Sequence, residues 1–440
     1  MATFIVIKST LALCYSLVEL WSVEPIFSNK LASQTQVSLL KDTDIRFEYI
    51  ASFYKKLSFN YSIMGNTIEG LSEIIEQPVA GEPITKKDTE RGKMSIAAKL
   101  NGRYDAVRDM APITYAASSM QGWRATMEDE HVLACSLTIQ TKRKDIVLQD
   151  HAVFGVFDGH GGDYTSKYLG DNYMRVLLAR KEWAKYVALK DVSRSEVTGV
   201  ELLKSALVGA FLDLDGELQI TQEKRIEKYK LEAARMGIDV SKRMKHSYVF
   251  PISDGTNGQK LYLDRSGSTA NVVLLTPTHM ICSNAGDSRS LVCRDGKALP
   301  LSFDHKPYNA PENLRVVNAG GYVKAKRIDG DLAVSRGLGD FRYKMNPDLT
   351  VEKQKVNASP EIIVCPRKYG KDEFMVIGCD GIWDVVENDK CVELVQKILN
   401  TGETDMGAIC EKMLDTCLEK DSKDNMTICI VALHQCRYKN

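Results

Sequence analysis

Acidic residues at the ends of apolar segments give this chain its chemical character. The segment 153–157, rich in Val and Phe, is typical of a buried strand and leads directly into Asp158. A carboxylate there offers the hard oxygen ligands that Mg²⁺ or Mn²⁺ prefers, and Gly159 lets its own carbonyl approach an ion. His160 can donate or accept a proton near neutral pH. The alternative is an ordinary turn, because Asp-Gly is a common turn dipeptide.

The same arrangement recurs along the chain. The apolar segment 374–378 runs into Asp380, and the segment 280–287 ends in Asp287. Further acids accompany them: Glu128 and Asp129 stand side by side, Asp340 follows Gly339, and Asp424 comes just before the apolar segment 428–433. Carboxylates gathered at one place repel one another unless cations lie between them. A set of oxygen ligands without paired His or Cys favours Mg²⁺ or Mn²⁺ over a structural zinc ion.

The motifs around these acids follow one another in a characteristic order. They are Arg124 with Met127-Glu128-Asp129, Asp158-Gly159-His160-Gly161-Gly162, Ser266-Gly267-Ser268-Thr269-Ala270, Asn284-Ala285-Gly286-Asp287-Ser288-Arg289, Asp304-His305-Lys306-Pro307, the segment 332–340, Cys379-Asp380-Gly381-Ile382-Trp383-Asp384 and Asp424-Asn425-Met426. In this order they resemble the metal-dependent protein serine/threonine phosphatases of type 2C. The resemblance covers roughly 114–433 and is specific because several independent motifs agree. It departs from the family pattern at Glu130, Asn271 and Gly337.

The resemblance implies a centre of two Mg²⁺ or Mn²⁺ ions, with a third ion held more weakly. The implied ligands of the ion pair are Glu128, Asp158, the Gly159 carbonyl, Asp380 and Asp424. Asp129 would support these ligands from behind, whereas Asp287 and Asp340 match acids associated with metal binding, with the third ion as one possible role. For Asp424 a helix cap or a turn is the alternative, because it precedes Asn in a turn-like sequence.

The implied reaction is hydrolysis of phosphoserine and phosphothreonine on proteins by a metal-activated water. Arg124 would bind the phosphate with its planar guanidinium, although a surface salt bridge is the alternative. His160 would protonate the departing seryl or threonyl oxygen. The chain has no short Cys-x5-Arg loop, which argues against a cysteinyl intermediate. Two other interpretations are a catalytically weak, phosphoprotein-binding scaffold of the same fold and a hydrolase of small phosphoesters.

Composition narrows the partners and the compartment. The 58 basic and 58 acidic residues balance, which argues against a nucleic-acid partner. The 11 cysteines form no Cys-x-x-Cys pair, and Cys282, Cys365, Cys379 and Cys429 lie in apolar segments typical of a core. We therefore expect a reducing compartment, the cytoplasm or the nucleus, with peripheral membrane association as the alternative. We also expect a monomer.

The chain divides into a leader over 1–110 and a catalytic domain over 111–436. The leader lacks the motifs, and its polar segment 78–102 is typical of a flexible chain. Lys8 and Glu19 interrupt the apolar N-terminus, which disfavours a membrane span or a secretion signal. Met64 is an alternative start that would make Gly65 a candidate for myristoylation, but Glu69 replaces the usual Ser or Thr, so an internal Met-Gly is favoured.

Periodicity places strands and helices around the motifs. The predicted strands are 132–138, 146–157, 270–275, 280–283, 290–293, 374–378 and 427–433, with a hairpin at 294–297. The predicted helices are 164–180, 201–236, 312–318, 388–399 and 406–418. This mixture indicates an α+β fold, and the resemblance implies a sandwich of two antiparallel β-sheets flanked by α-helices.

A helical extension is predicted near 221–247, where basic residues are frequent. Its basic face could bind a partner protein or anionic lipid. Glu223 and Glu227 interrupt the basic charge, so a solvated surface helix is favoured.

Overall fold

The computed structural model describes residues 82–94, 113–235, 249–251, 260–262 and 265–433. The strands in chain order are β1 (Ile84–Met94), β2 (Ile113–Gly122), β3 (Glu130–Ile139), β4 (Ile146–Phe157), β5 (Gly159–His160), β6 (Val249–Pro251), β7 (Lys260–Tyr262), β8 (Gly267–Ser268), β9 (Ala270–Leu275), β10 (His279–Ala285), β11 (Arg289–Arg294), β12 (Lys297–Pro300), β13 (Val323–Lys324), β14 (Arg327–Ile328), β15 (Leu338–Gly339), β16 (Glu361–Pro366), β17 (Asp372–Gly378) and β18 (Met426–Ala432). The helices are α1 (Tyr164–Ala179), α2 (Lys181–Ala188), α3 (Asp191–Arg194), α4 (Val197–Arg235), α5 (Ala310–Asn318), α6 (Asp380–Trp383), α7 (Asn388–Leu399) and α8 (Met406–Glu419).

Two antiparallel sheets form the centre of the fold. One is six-stranded, in the order β1-β2-β18-β17-β11-β12, and the other is five-stranded, in the order β16-β10-β9-β4-β3. A small three-stranded sheet, β15-β8-β5, is formed by parts of the sequence motifs described above. The predicted α+β sandwich of two antiparallel sheets flanked by helices is therefore confirmed.

Strand β4 shows how the sequence builds this sandwich. Its residues Ala152, Phe154 and Val156 belong to the apolar core that also includes buried side chains of the six-stranded sheet. Val153 and Phe157 belong instead to the core formed with α1 and α4. Side chains alternate between the two faces of a strand, and each large apolar side chain buried in this way contributes roughly 1.5–3 kcal/mol. This two-sided burial fixes the end of β4, where Asp158 follows.

The predicted flexible leader is wrong for Ile84–Met94, which form the edge strand β1. This strand pairs antiparallel with β2 along most of its length. Arg91 bonds the carboxylates of Asp405 and Glu411, each at 3.0 Å. The polar composition reflects the solvent-facing side of an edge strand, since charged residues are favoured there. The rest of the predicted leader, 1–81 and 95–110, lies outside the described residues.

Most predicted elements agree with the structure. The predicted strands 146–157 and 270–275 and the predicted helix 388–399 coincide with β4, β9 and α7. The sequence missed α2 and α3. Helix α4 continues to Arg235, while the remainder of the predicted extension, 236–247, lies outside the described residues. The cysteines predicted to lie in the core, Cys282, Cys365, Cys379 and Cys429, are buried and free.

Among the helices of the described residues, none combines the length and the apolar character needed to cross a membrane.

A buried ion pair joins α4 to the segment after β15. The Lys344 ammonium lies 2.8 and 2.9 Å from the two carboxylate oxygens of Asp215 and also donates to the Gly337 carbonyl at 2.9 Å. Asp215 accepts a further bond from the Gly339 amide at 2.9 Å. The Lys344 and Asp215 side chains are only 6% and 9% exposed. The pair therefore fixes the backbone immediately before Asp340.

We expect Lys344→Met to lower the free energy of unfolding by about 3–5 kcal/mol, because it leaves a buried carboxylate without its counter-ion. Urea unfolding monitored by tryptophan fluorescence measures the loss. The double variant Lys344→Met with Asp215→Leu should recover most of it, because an apolar pair removes the unpaired charge. A loss below about 1 kcal/mol, the range of exposed pairs, would contradict this account.

Candidate metal centre

Carboxylates from both sheets meet at one end of the sandwich. Asp158 follows β4 of the five-stranded sheet, and Asp380 follows β17 of the six-stranded sheet by one residue. Asp287 lies in the turn between β10 and β11. One oxygen from each of these three residues lies within 4.8 Å of the other two. The fold thus brings together acids that are far apart in the sequence.

The electrostatics of this cluster favour a cation. Burial, followed by the charges of Asp380 and Asp129, raises the pKa of Asp158 well above its usual value. Burial and the charges of Asp287 and Asp424 raise the pKa of Asp380 in the same way. Buried carboxylates this close together are costly while ionised, and divalent cations remove that cost. The oxygen donors fit Mg²⁺ or Mn²⁺, as the sequence predicted.

Asp129 lies behind this cluster. Its Oδ2 accepts a hydrogen bond of 2.8 Å from Thr427 Oγ1, and burial raises its pKa to about 7. Ligand atoms of Asp129, Asp158 and Cys379 lie within 4.8 Å of one another. Burial and the neighbouring Asp129 charge raise the pKa of the Cys379 thiol well above its usual value, so the sulfur stays protonated. The candidate donors of the cluster are therefore the carboxylate oxygens.

Glu128 is held next to the loop that follows Asp158. The Gly159 amide donates to the Glu128 carbonyl at 3.1 Å, and a Cβ at Gly159 would lie 2.2 Å from that oxygen. The Glu128 carboxylate accepts bonds from Thr126 Oγ1 at 2.9 Å and from the Gly162 amide at 3.2 Å. Only glycine fits at position 159 without moving Glu128.

Asn425 connects the two segments that carry Glu128 and Asp424, and sequence reasoning gave it no role. Its Oδ1 accepts from the Glu128 amide at 2.9 Å, while its Nδ2 donates to the carbonyls of Gln121 and Thr126, each at 2.9 Å. The only sequence signal was its position directly after Asp424.

Arg124 and Asp424 form an ion pair next to the carboxylate cluster, with the Arg124 side chain exposed to solvent. Arg124 Nη2 donates to Asp424 Oδ2 at 2.5 Å, and the Arg124 side chain remains 58% exposed. The sequence left a surface salt bridge as the alternative for Arg124 and a helix cap or turn as the alternative for Asp424, and the structure shows the salt bridge. The observed pair places the guanidinium beside an acid whose charge raises the pKa of Asp158 and of Asp380.

His160 pairs with Asp340. The imidazole Nε2 lies 2.7 Å from Asp340 Oδ2, and the Asp340 carboxylate is fully buried. Burial disfavours the charged imidazole, but the Asp340 carboxylate outweighs it, so the pKa of His160 is raised. Neither group of potential ligand atoms found among the described residues includes Asp340. The structure thus shows Asp340 as the partner of His160, and its predicted association with metal binding stays a prediction.

Two further residues near the cluster were overlooked. Lys306 Nζ donates a hydrogen bond to Asp287 Oδ2. Burial raises the pKa of Asp384, with the charge of Lys306 opposing the shift and the charge of Asp287 adding to it, which places Asp384 close by. Both residues lie in motifs recognised in the sequence, so the sequence indicated that they are near the site but did not indicate what they contact.

Comparisons with known proteins identify the family of the chain. The sequence model of the protein phosphatase 2C family matches residues 113–205 and 215–426. Protein phosphatase 1B of Mus musculus is 35% identical over 319 residues, which cover 72% of this chain and 70% of that protein. Protein phosphatase 1A of Homo sapiens is 33% identical with the same coverage, 72% and 70%. The chain therefore belongs to the protein phosphatase 2C family and is a metal-dependent protein serine/threonine phosphatase.

Solved structures support the fold. The serine-threonine phosphatase 2C from Toxoplasma gondii superimposes with a TM-score of 0.55 at 20% identity, covering 78% of this chain and 99% of the other. A second phosphatase from Toxoplasma gondii gives a TM-score of 0.54 at 21% identity, covering 81% and 98%. These similarities extend over most of the chain.

Proposed function

We propose that this phosphatase acts through two Mg²⁺ or Mn²⁺ ions held by the carboxylate cluster. The meeting of Asp158, Asp287 and Asp380 within 4.8 Å is the observation that carries the proposal. The residues that would hold the ions are Glu128, Asp158, the Gly159 carbonyl, Asp287, Asp380 and Asp424, with Asp129 behind them. When bound, such ions acidify water and stabilise the charge that develops on the phosphoryl group.

Arg124 binds the phosphate of the substrate in this proposal. Its side chain is 58% exposed, and one of its nitrogens already bonds Asp424. A guanidinium has several further N–H donors in one plane, so it can bond a phosphate while the Asp424 bond orients it. Arg124 thereby places the phosphorus atom next to the carboxylate cluster.

His160 delivers the proton to the departing seryl or threonyl oxygen. Because Nε2 faces Asp340 at 2.7 Å, we assign the delivery to the other ring nitrogen, Nδ1. Asp340 orients the imidazole and favours its charged form, so in this proposal it positions His160. A more weakly held third ion stays a prediction of the resemblance, with Asp287 and Asp340 as the acids associated with it.

Phosphoproteins are the substrates expected of this family. The free, buried cysteines support the proposal that the enzyme works in the cytoplasm or the nucleus, where thiols stay reduced. The monomeric state and the peripheral membrane association stay predictions from the sequence.

We expect EDTA to lower turnover of a phosphothreonine peptide by at least about a hundredfold, because the cations supply several kcal/mol of transition-state stabilisation. Added Mn²⁺ or Mg²⁺ should restore it. Release of inorganic phosphate measures the rate. Full activity of the metal-free protein would contradict the ion centre. Peptide binding without turnover in Mn²⁺ would favour the scaffold, and faster turnover of a sugar phosphate would favour the small-phosphoester hydrolase.

A further inference from the structure

Lys306 places a fixed positive charge at the edge of the carboxylate cluster. Its ammonium donates to Asp287 Oδ2, and the Asp287 and Lys306 side chains are 2% and 19% exposed. The same Asp287 carboxylate lies within 4.8 Å of Asp158 and Asp380. The lysine therefore bonds one of the acids that a divalent cation would need.

The backbone around Lys306 is fastened to the turn that carries Asp287. The His305 amide donates to the Gly286 carbonyl at 2.9 Å. Asn284 Nδ2 donates to the Phe303 carbonyl at 2.9 Å. These bonds join the segment just before Lys306 to the segment just before Asp287, so the two residues are held side by side.

A bidentate ion pair strengthens this attachment. Arg289 donates to the Asp304 carboxylate through Nε at 2.6 Å and Nη2 at 2.9 Å. Arg289 is the first residue of β11 and stands two positions after Asp287. These contacts hold the backbone of Lys306 where its ammonium can reach Asp287.

The Lys306 ammonium and a divalent cation make conflicting demands on Asp287. A carboxylate oxygen that accepts from the ammonium must be released or shared before it coordinates an ion. The ammonium also repels a divalent cation that approaches the same oxygens, and this repulsion is strong in a site largely removed from water. A lysine side chain keeps its charge at neutral pH, so the competition is permanent.

We propose that Lys306 competes with a divalent cation for Asp287 and weakens the binding of one ion of the centre. Occupancy of that position, and with it phosphatase activity, then follows the concentration of free Mg²⁺ or Mn²⁺. The inference rests on the proposed ion centre and adds to it a residue that tunes affinity.

Calorimetric titration of Mn²⁺ into EDTA-treated, dialysed protein tests this inference. Lys306→Met keeps an aliphatic stem but removes the charge, and we expect the weakest Mn²⁺ affinity to rise at least about tenfold, since a close charge is removed from a poorly solvated site. Lys306→Arg keeps the charge and should stay within about threefold of the original protein. Lys371→Met, which breaks an exposed pair with Asp295 (56% and 58% exposed), serves as the matched control and should leave affinity unchanged.

The outcomes separate this inference from the ion centre itself. An unchanged or weaker Mn²⁺ affinity of a folded Lys306→Met protein overturns the competition, as does a raised KM with unaltered Mn²⁺ affinity, which would place Lys306 on the substrate. Absence of Mn²⁺ binding to the original protein would instead refute the ion centre. Should Lys306→Met fail to fold, Lys306→Gln, which keeps a hydrogen-bond donor without the charge, gives the same readout.

Discussion

Asp158→Asn is expected to abolish turnover and, at the same time, to stabilise the metal-free protein. The lost carboxylate is the one that neighbours Asp380, Asp129 and Asp287, so loss of ion binding should lower kcat by at least about three orders of magnitude. Stability rises because burial and like charges raise the pKa of Asp158 well above its usual value, which shows how unfavourable its ionised form is. An amide of nearly the same size keeps the packing of β4.

Phosphopeptide turnover in Mn²⁺ and melting in EDTA measure the two effects. A stabilisation of about 1 kcal/mol should raise Tm by about 2–4 °C in a domain of this size class. Asp380→Asn should behave alike, because Asp380 belongs to the same carboxylate cluster. Asp295→Asn, which changes an exposed acid of the β11–β12 hairpin, is the matched control and should alter neither quantity. Retained turnover in Asp158→Asn would sink the site assignment.

His160→Gln should lower kcat for a phosphopeptide by about two to four orders of magnitude and leave KM nearly unchanged, because a general acid acts only in the transition state. The defect should shrink for p-nitrophenyl phosphate, whose departing phenolate needs little protonation. Asp340→Asn should show the same preference between substrates with a smaller loss, since it removes the carboxylate 2.7 Å from His160 but keeps the imidazole.

Initial rates on both substrates, with Mn²⁺ affinity measured in parallel, decide the role of His160. Losses of equal size on the two substrates together with weaker Mn²⁺ binding would move His160 into the coordination shell. The leaving-group comparison is informative because an imidazole that merely orients an ion affects both reactions alike.

The sequence predicted the acids and the strands that carry them because both depend on local patterns. A run of Val and Phe followed by Asp-Gly already specifies a buried strand with a carboxylate at its end, as in β4 and Asp158. The continuous apolar run from Val153 to Phe157 indicated a fully buried strand before any partner was known.

Contacts between side chains that are far apart in the sequence could not be predicted from it. His160 and Asp340 stand 180 positions apart, and Arg124 and Asp424 stand 300 apart. Asp340 was associated with metal binding through the resemblance, and nothing in the sequence indicated its contact with His160. That contact depends on Gly267, where a Cβ would lie 2.1 Å from Asp340 Oδ2 and 2.4 Å from His160 Nε2. Such close approach becomes visible only once β5, β8 and β15 are assembled.

Polar composition misled the sequence reasoning about β1. Lys87 and Arg91 mark a strand that bonds the sheet on one side and the acids of α8 on the other, with Lys87 Nζ 2.6 Å from Asp415. A segment rich in charged residues fits either a disordered chain or an edge strand, and only the pairing with β2 distinguishes the two.

The edge position of β1 also determines where the protein can be shortened. A fragment that starts at residue 111, the domain boundary suggested by the motifs, keeps every proposed ligand but removes the partner of β2. The amides and carbonyls of β2 would then form an open edge next to a buried apolar face, a surface that pairs readily with other chains and aggregates. Purification of the catalytic domain in soluble form thus requires a start before Ile84, although no residue of β1 belongs to the site.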